Sequence, residues 1–508
     1  MFINYKNKRS IIRALVGCLL IASVACSCKK LVEAGQPMSS ITTEKTFGTN
    51  ALADAALAGL YSQMMTNNGN MLFSNGGTTI YTGMSADELV SFAGASAAPI
   101  YQFYTNHLLK DNFLPDGLFW QPAYKLIYGA NAAIEAIEAS TSPQLLDSAR
   151  NVLTGEAKFI RAFSYFYLTN IYGDVPLVLT TDFTKTVSMA RTPKEDVYAQ
   201  MVLDLKDAQQ LLMNDYSTAK GERIRVNKWA ATALLARVYL YQQNWAEAET
   251  EASAVIGNNQ YGLKTNMNDV FLNNSNEAIW QLQQNVTVMP RNATWEAVNF
   301  MPAIRISPLS PADQAGLLVP FIFNMYVKSF IPNYYLTSEL ANAFEPNDLR
   351  KSIWVDSTPT PIDTPYNGIA YYYPAKYTTQ VATGNAITQY YMVLRLAEQY
   401  LIRAEARAQQ SKTAEAAADL NVLRTRAGLP NTTATAKTDL LVAVAQERRV
   451  ELFTEWGHRW FDLKRTGKAS EVLGAMPAKQ PWSDNSLLYP ISTIELSNDP
   501  RLQQNPGY

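Results

Sequence analysis

The sequence predicts a mainly α-helical protein, with helical hairpins as its core, long loop-rich insertions and a few short strands. Three observations carry this reading. Apolar residues recur every three or four positions in long stretches near both ends of the chain. Two stretches, 227–256 and 395–426, repeat one design: small residues where helices cross, beside an aromatic and leucine face. Between them, residues 257–390 gain Pro, Asn, Gly and Tyr while helical periodicity fades.

Helical spacing starts at Asn50, where Leu52, Ala55, Ala56, Gly59, Leu60 and Gln63 succeed one another through Met65. Helices are expected over Leu118–Ala136 and Ser148–Tyr172. A third follows Thr192-Pro193-Lys194-Glu195, read as a cap with proline at the first helical position, and runs to about Met213. In 227–256, Ala230, Ala233, Ala236 and Ala248 allow close approach, and Trp229, Leu235, Tyr239 and Leu240 fill the face. In 395–426, Ala397, Leu401, Ala404 and Ala408 precede a polar turn at Gln409–Lys412 and then Ala414, Ala417 and Leu420. Such a pair within ~34 residues is the tetratricopeptide pattern; the plainer alternative is generic antiparallel helices. Glu277–Val286 alternates like a short strand. Met301–Pro311, Ser357–Tyr373 and the tail from Pro481 read as irregular.

The three cysteines, Cys18, Cys26 and Cys28, all lie near the start of the 508-residue chain. Lys6, Lys8, Arg9 and Arg13 precede an apolar run, Ala14–Ala25, and then small residues: the layout of a secretory signal. The run covers roughly 18 Å as a helix, short of a ~30 Å hydrocarbon core. A cysteine at the cut resembles a lipobox, with cleavage before Cys26 or before Cys28. A plain signal peptide with incidental cysteines is the alternative. Residues 1–27 are thus expected as a lipoprotein signal, 28–49 as a lipidated start and tether, and 50–508 as a single helical domain.

Net charge is −1 with 17% charged residues, so no basic field suits nucleic acid. The chain contains no HExxH, CxxC, GxxxxGK[ST] or GxSxG, and no acidic loop has EF-hand spacing. No cofactor or metal is implied. Aromatics reach 11%, with 28 Tyr and 9 Trp, and their half-polar faces suit sugars as well as cores. Gln446–Arg465 reads as one helix in which Glu447, Glu451 and Glu455 stack four apart among apolar bulk. Buried acids need cations, and Arg448, Arg449, Arg459, Arg161 and Arg403 are the candidates. A catalytic role for Glu451 or Glu455 competes with a structural ion network, which is favoured.

Several stretches together resemble the SusD/RagB family. They are GEAKFIRAFSYFYLTNIYGDVPLV (155–178), RTPKEDVYAQMVLDLKDAQQLL (191–212), VNKWAATALLARVYLYQQNW (226–245), LRLAEQYLIRAEA (394–406), RTRAGL (424–429), ERRVELFTEWGHRWFDLKRTG (447–467) and the terminal LYPISTIELSNDPRLQQNPGY. The resemblance runs in order over nearly the whole chain and favours Cys28 as the lipidated residue. It implies an outward-facing outer-membrane lipoprotein, not an enzyme, that captures oligosaccharide or another nutrient for a SusC-like TonB-dependent barrel. It also implies that the tetratricopeptide side faces the barrel and aromatic loops face the ligand. By location, ligand contacts are expected from Phe92, Tyr101, Phe103 and Tyr104, after MSADEL (84–89), and from Trp295, Phe323 and Tyr326. Asp87 reads as a helix cap rather than a ligand contact. A secreted glycan hydrolase and a protein-binding helical scaffold are the competing functions.

Overall fold

The computed structural model describes residues 43–66, 69–384 and 386–508. The signal segment, Cys26, Cys28 and most of the tether lie outside these residues. The chain divides between Thr46 and Phe47, and of the first unit only the helical turn Thr43–Thr46 is described. The main unit takes in the last tether residues. Phe47 is buried, and the Ser140 and Ser142 hydroxyls donate to the Phe47 and Gly48 carbonyls at 2.8 and 2.7 Å.

The mainly α reading holds. Helix α1 (Asn50–Met65) begins where the Thr49 side chain accepts from the Leu52 amide, a local N-cap. After α2 (Ala98–Thr105), helices α3 (Gln121–Ala139), α4 (Asp147–Tyr172) and α5 (Lys194–Leu211) pack in succession. Pro193 is the N-cap itself, not the first helical residue, because Thr192 is engaged in a bridge with Val175. The expected hairpins follow as α6 (Lys228–Tyr241) with α7 (Trp245–Ile256), and α8 (Leu396–Gln409) with α9 (Thr413–Arg426).

The two hairpins share a turn. Gln243 and Ser411 each take a positive φ, and the next residue donates five positions back, Asn244 to Tyr239 and Lys412 to Arg407. Ala230, Ala233, Ala236 and Ala248 are fully buried, so their small size sets the distance between helices. Helix α6 packs on α5 and α8, and α7 packs on α8. The second hairpin is thereby stacked on the first, with Arg237 bidentate to Glu398 at 2.6 Å in the seam.

Gln446–Arg465 is not one helix. Helix α10 (Lys437–Glu451) stops, Thr454, Trp456 and Gly457 take positive φ, and α11 (His458–Arg465) starts anew. A Cβ on Gly457 would overlap the Thr82 hydroxyl, so glycine permits both the turn and the close approach.

Among the described residues the strands form three two-stranded antiparallel sheets. They pair β1 (Leu89–Ser91) with β3 (Tyr334–Leu336), β2 (Ala278–Leu282) with β6 (Tyr391–Arg395), and β4 (Val355–Thr358) with β5 (Tyr371–Pro374). The span 357–373 is therefore a hairpin of strands around a loop rather than a loop throughout.

Candidate glycan-binding face

Sheet β1–β3 alternates. Leu89, Ser91, Tyr334 and Leu336 point inward and are buried, which leaves Val90 and its partner Tyr335 half-buried on the other face. Strand β5 lies against β3. The Tyr371 ring meets Tyr335 edge to face at 4.8 Å and Phe92 at 6.3 Å. On α2, Tyr101 and Tyr104 sit 5.8 Å apart. Burial, then the nearby Tyr371 and Tyr104, pushes the Tyr335 hydroxyl up to about 12, so it is a neutral donor and acceptor at physiological pH. The result is a row of half-buried rings, Tyr101, Tyr104, Tyr335, Tyr371 and Phe92, with phenol groups along it.

A fixed scaffold backs this row. Fully buried Phe323 and Phe330, 5.2 Å apart, form a small core with Ile306 and Ile331, and Phe92, Tyr366 and Tyr371 pack on it. Asp356 ties the 301–311 loop to β4, accepting from Arg305 at 2.7 Å, Ser307 at 2.9 Å and the Tyr373 hydroxyl at 2.8 Å. Beneath Tyr104, the fully buried Lys479 ammonium donates to the carbonyls of Met84, Ser85 and Tyr104 and to Asn106 Oδ1, at 2.5 to 3.2 Å.

The structure places the expected ligand residues unequally. Phe92, Tyr101 and Tyr104 belong to the row. Phe103 and Phe323 have no exposed surface: Phe103 packs between Tyr81 and Tyr489, and Phe323 underlies Tyr366. Both are core residues, because each occupies the inward side of its short helix. Tyr326, 48% exposed, sits at the edge through Phe330. Trp295 opens a short helix, Trp295–Phe300, and its Cβ comes too close to Gly76 for a side chain there. Tyr335 and Tyr371 were not foreseen, although alternation in Tyr334-Tyr335-Leu336 and the run Tyr371-Tyr372-Tyr373 carry the signal.

The acids near the C-terminus are consumed structurally. Arg395 donates to Glu455, Glu451 and Glu277; Arg350 to Asp348, Glu447 and Glu451; Arg426 to Glu277 and Glu451; and Lys376 to Glu455. Burial pushes the Glu451 carboxyl up, but Arg426, Arg395 and Arg350 more than offset this and hold it well below the usual range. Neither Glu451 nor Glu455 is available as a proton donor. The cations expected for them serve elsewhere: Arg448 pairs Asp462, Arg161 pairs Asp204 and Arg403 pairs Asp419. Arg449 and Arg459 both hold Asp87, which is an ion-pair anchor rather than a helix cap. Among the described residues no cluster of His, Cys, Asp and Glu could hold a metal, and no helix is long and apolar enough to cross a membrane.

Residues 194–508 match the SusD family, and residues 38–240 match a family described as starch-binding and associating with the outer membrane. SusD-like protein P38 of Formosa agariphila is 26% identical, over 96% of this chain and 97% of its own. The starch-binding protein SusD of Bacteroides thetaiotaomicron is 25% identical, over 70% of this chain and 72% of its own. Among solved structures, a laminarin-binding SusD-like protein superposes with a TM-score of 0.72 at 26% identity, covering 91% of this chain and all of that one. A SusD-like protein of Bacteroides fragilis gives 0.74 at 21% identity, covering 93% and 100%, a likeness of fold. With a helical-hairpin frame and a family match over more than half its length, the chain belongs to the SusD family.

Proposed function

We propose that the protein is a glycan-binding lipoprotein of the outer membrane that faces the exterior and passes its ligand to a SusC-like TonB-dependent barrel, without altering it chemically. The observation that carries this reading is the aromatic row on β1, β3, β5 and α2. Rings held half-buried on strands offer flat apolar faces to the C–H side of a sugar ring, and their phenols meet its hydroxyls. In this reading the row is a platform, suited to the side of a polymer, and the clefts of about 710 and 490 Å³ are lined by other residues. Tyr326 and Trp295 extend it in this reading. The lipid sits on Cys28, or on Cys26 if the cut falls two residues earlier, and the tetratricopeptide side faces the barrel.

Calorimetry with maltoheptaose, laminarihexaose and xylohexaose tests the face. Tyr335→Ala and Tyr371→Ala should each weaken binding about tenfold, the effect of losing roughly 1.4 kcal/mol from a ring anchor. Binding that both variants leave unchanged would refute the site. Labelled palmitate should be lost in Cys28→Ala; loss only in Cys26→Ala would move the anchor and keep the lipoprotein. Outer-membrane preparations should co-purify the protein with a large barrel.

A further inference from the structure

The aromatic row is assembled from two separate pieces of backbone. Tyr101 and Tyr104, three apart on one face of α2, form one end. Phe92, Tyr335 and Tyr371, on or beside β1, β3 and β5, form the rest. A ligand that touches both sets gains the full benefit of the second only when the two are held in register.

Lys479, on the short helical turn Pro477–Lys479, bridges the two pieces from a third place in the chain. At the end of α2 its ammonium donates to the Tyr104 carbonyl at 2.6 Å and to Asn106 Oδ1 at 2.5 Å. In the turn Gly83–Ser85, just before β1, it donates to the Met84 and Ser85 carbonyls at 2.9 and 3.2 Å. Four oxygens face three N–H groups, so no donor is idle. The Tyr104 carbonyl is one of the last four of α2, which have no partner inside the helix and favour a cation. Tyr489 spans the same joint, with its hydroxyl 2.7 Å from Ser85 Oγ and its ring edge to face with Phe103 at 5.4 Å. Only its hydrogen bond fixes a direction, and that bond does not reach α2. Asn112 grips the Pro99 carbonyl and the Gln102 side chain, both at 2.8 Å, but it lies on the loop that follows α2, so this tie does not reach β1. A second directional link comes from the loop that carries Lys479: exposed His107 donates from Nε2 to the Pro481 carbonyl at 3.0 Å.

We propose that Lys479 is a positioning residue of the glycan face, an inference that rests on the function proposed above. Its ammonium locks the end of α2 to the turn before β1, so that Tyr101 and Tyr104 meet the ligand in register with Tyr335 and Tyr371. Fully buried, it touches no ligand. Its effect passes through the rings of α2.

Two double-mutant cycles on the full chain test this by calorimetry, with whichever of maltoheptaose, laminarihexaose and xylohexaose binds tightest. Lys479→Met keeps an unbranched apolar stem, removes the ammonium and should weaken binding roughly fivefold. In a Tyr104→Ala background the ring it positions is already gone, so the same change should cost little more. In a Tyr371→Ala background it should cost its full factor. A merely structural lysine would not tell the two backgrounds apart. His107→Ala, at an exposed position, cuts the second link and should repeat the pattern with a smaller factor, so the test survives if the lysine variant does not fold. Unchanged affinity in every variant that folds, losses that simply add in the Tyr104→Ala background, or equal coupling to Tyr104 and Tyr371 would each overturn the inference. If Tyr335→Ala and Tyr371→Ala weaken binding while Lys479→Met does not, the face stands and only its positioning residue falls. A chain that binds none of the three glycans overturns both.

Discussion

Arg395→Met keeps an unbranched apolar stem and removes a charge that three carboxylates share. In the native chain Arg395 Nε and Nη2 hold the two oxygens of Glu455 at 2.8 and 2.9 Å, and Nη1 holds Glu451 at 2.6 Å and Glu277 at 3.1 Å. Without it, Glu277 retains Arg426, and Glu451 retains Arg350 and Arg426. Glu455 retains Lys376 alone, at 2.6 Å. One negative charge is stranded in a fully buried site, which costs about 3–5 kcal/mol, a large part of a typical stability of about 5–15 kcal/mol. The assay is the urea midpoint at several pH values. In the native chain burial raises the Glu455 carboxyl, but Arg395 and Lys376 more than offset this and hold it below the usual range. Its contribution is therefore present above the unfolded pKa and lost as pH falls through the folded one. In the variant the sign reverses. The stranded carboxyl rises above its unfolded value, so the deficit grows as pH climbs past ~4.3 and shrinks on acidification. Arg395→Met/Glu455→Gln, which removes the stranded charge, should regain most of the loss at pH 7. A single variant within about 1 kcal/mol of wild type, or a deficit that does not depend on pH, would refute this reasoning.

Glu88→Gln should flatten stability between pH 5 and 8. The native acid, raised to about 8, favours folding below its unfolded pKa and loses that contribution as pH climbs through the folded value, which midpoints at pH 6 and 9 will show. Gly457→Ala should cost about 2–4 kcal/mol, from a left-handed backbone and the overlap with Thr82. Gly467→Ala, at nearly the same φ with nothing near its Cβ, should cost only about 1 kcal/mol by the same denaturation assay. Lys479→Met should leave four oxygens without a donor, cost about 2–4 kcal/mol and speed amide exchange in α2 more than in α6.

The helical frame was legible because its signals are local. Alanine spacing, caps and the polar turn at 409–412 act within a few residues, and the hairpins lie within two residues of where they were expected. The aromatic row was only half legible. Phe92, Tyr101 and Tyr104 fall in one segment, but Tyr335 and Tyr371 join them through pairing of β1 with β3 and packing of β5 on β3, contacts between distant parts of the chain. Phe103 and Phe323 show the converse: an aromatic in a loop-rich stretch has no local mark that says which way it points. The ion partners were misassigned for the same reason. Helical spacing placed Arg448 and Arg449 beside the acids, whereas chain crossings supply Arg350, Lys376, Arg395 and Arg426. Gly457 was the available warning that α10 ends, since glycine inside a helical pattern often marks a stop.

The crossing pattern of that network bears on the binding face. Glu447, Glu451 and Arg426 belong to α10 and α9, and Glu455 to the turn after α10. Glu277, Asp348, Arg350, Lys376 and Arg395 belong to the loop-rich region that carries β2 to β6 and half of the aromatic row. Most of its pairs thus join frame to loops. Apolar packing would bury the same seam at similar or better stability, but it is non-directional and tolerates sliding. Bidentate bonds fix both distance and angle. If that is the reason the charges are there, the double variant Arg395→Met/Glu455→Gln separates two quantities that usually move together. Its stability should approach wild type while its glycan affinity stays reduced, because the seam is filled but its register is loosened. Affinity restored in step with stability would mean that the network holds the loops without aiming them.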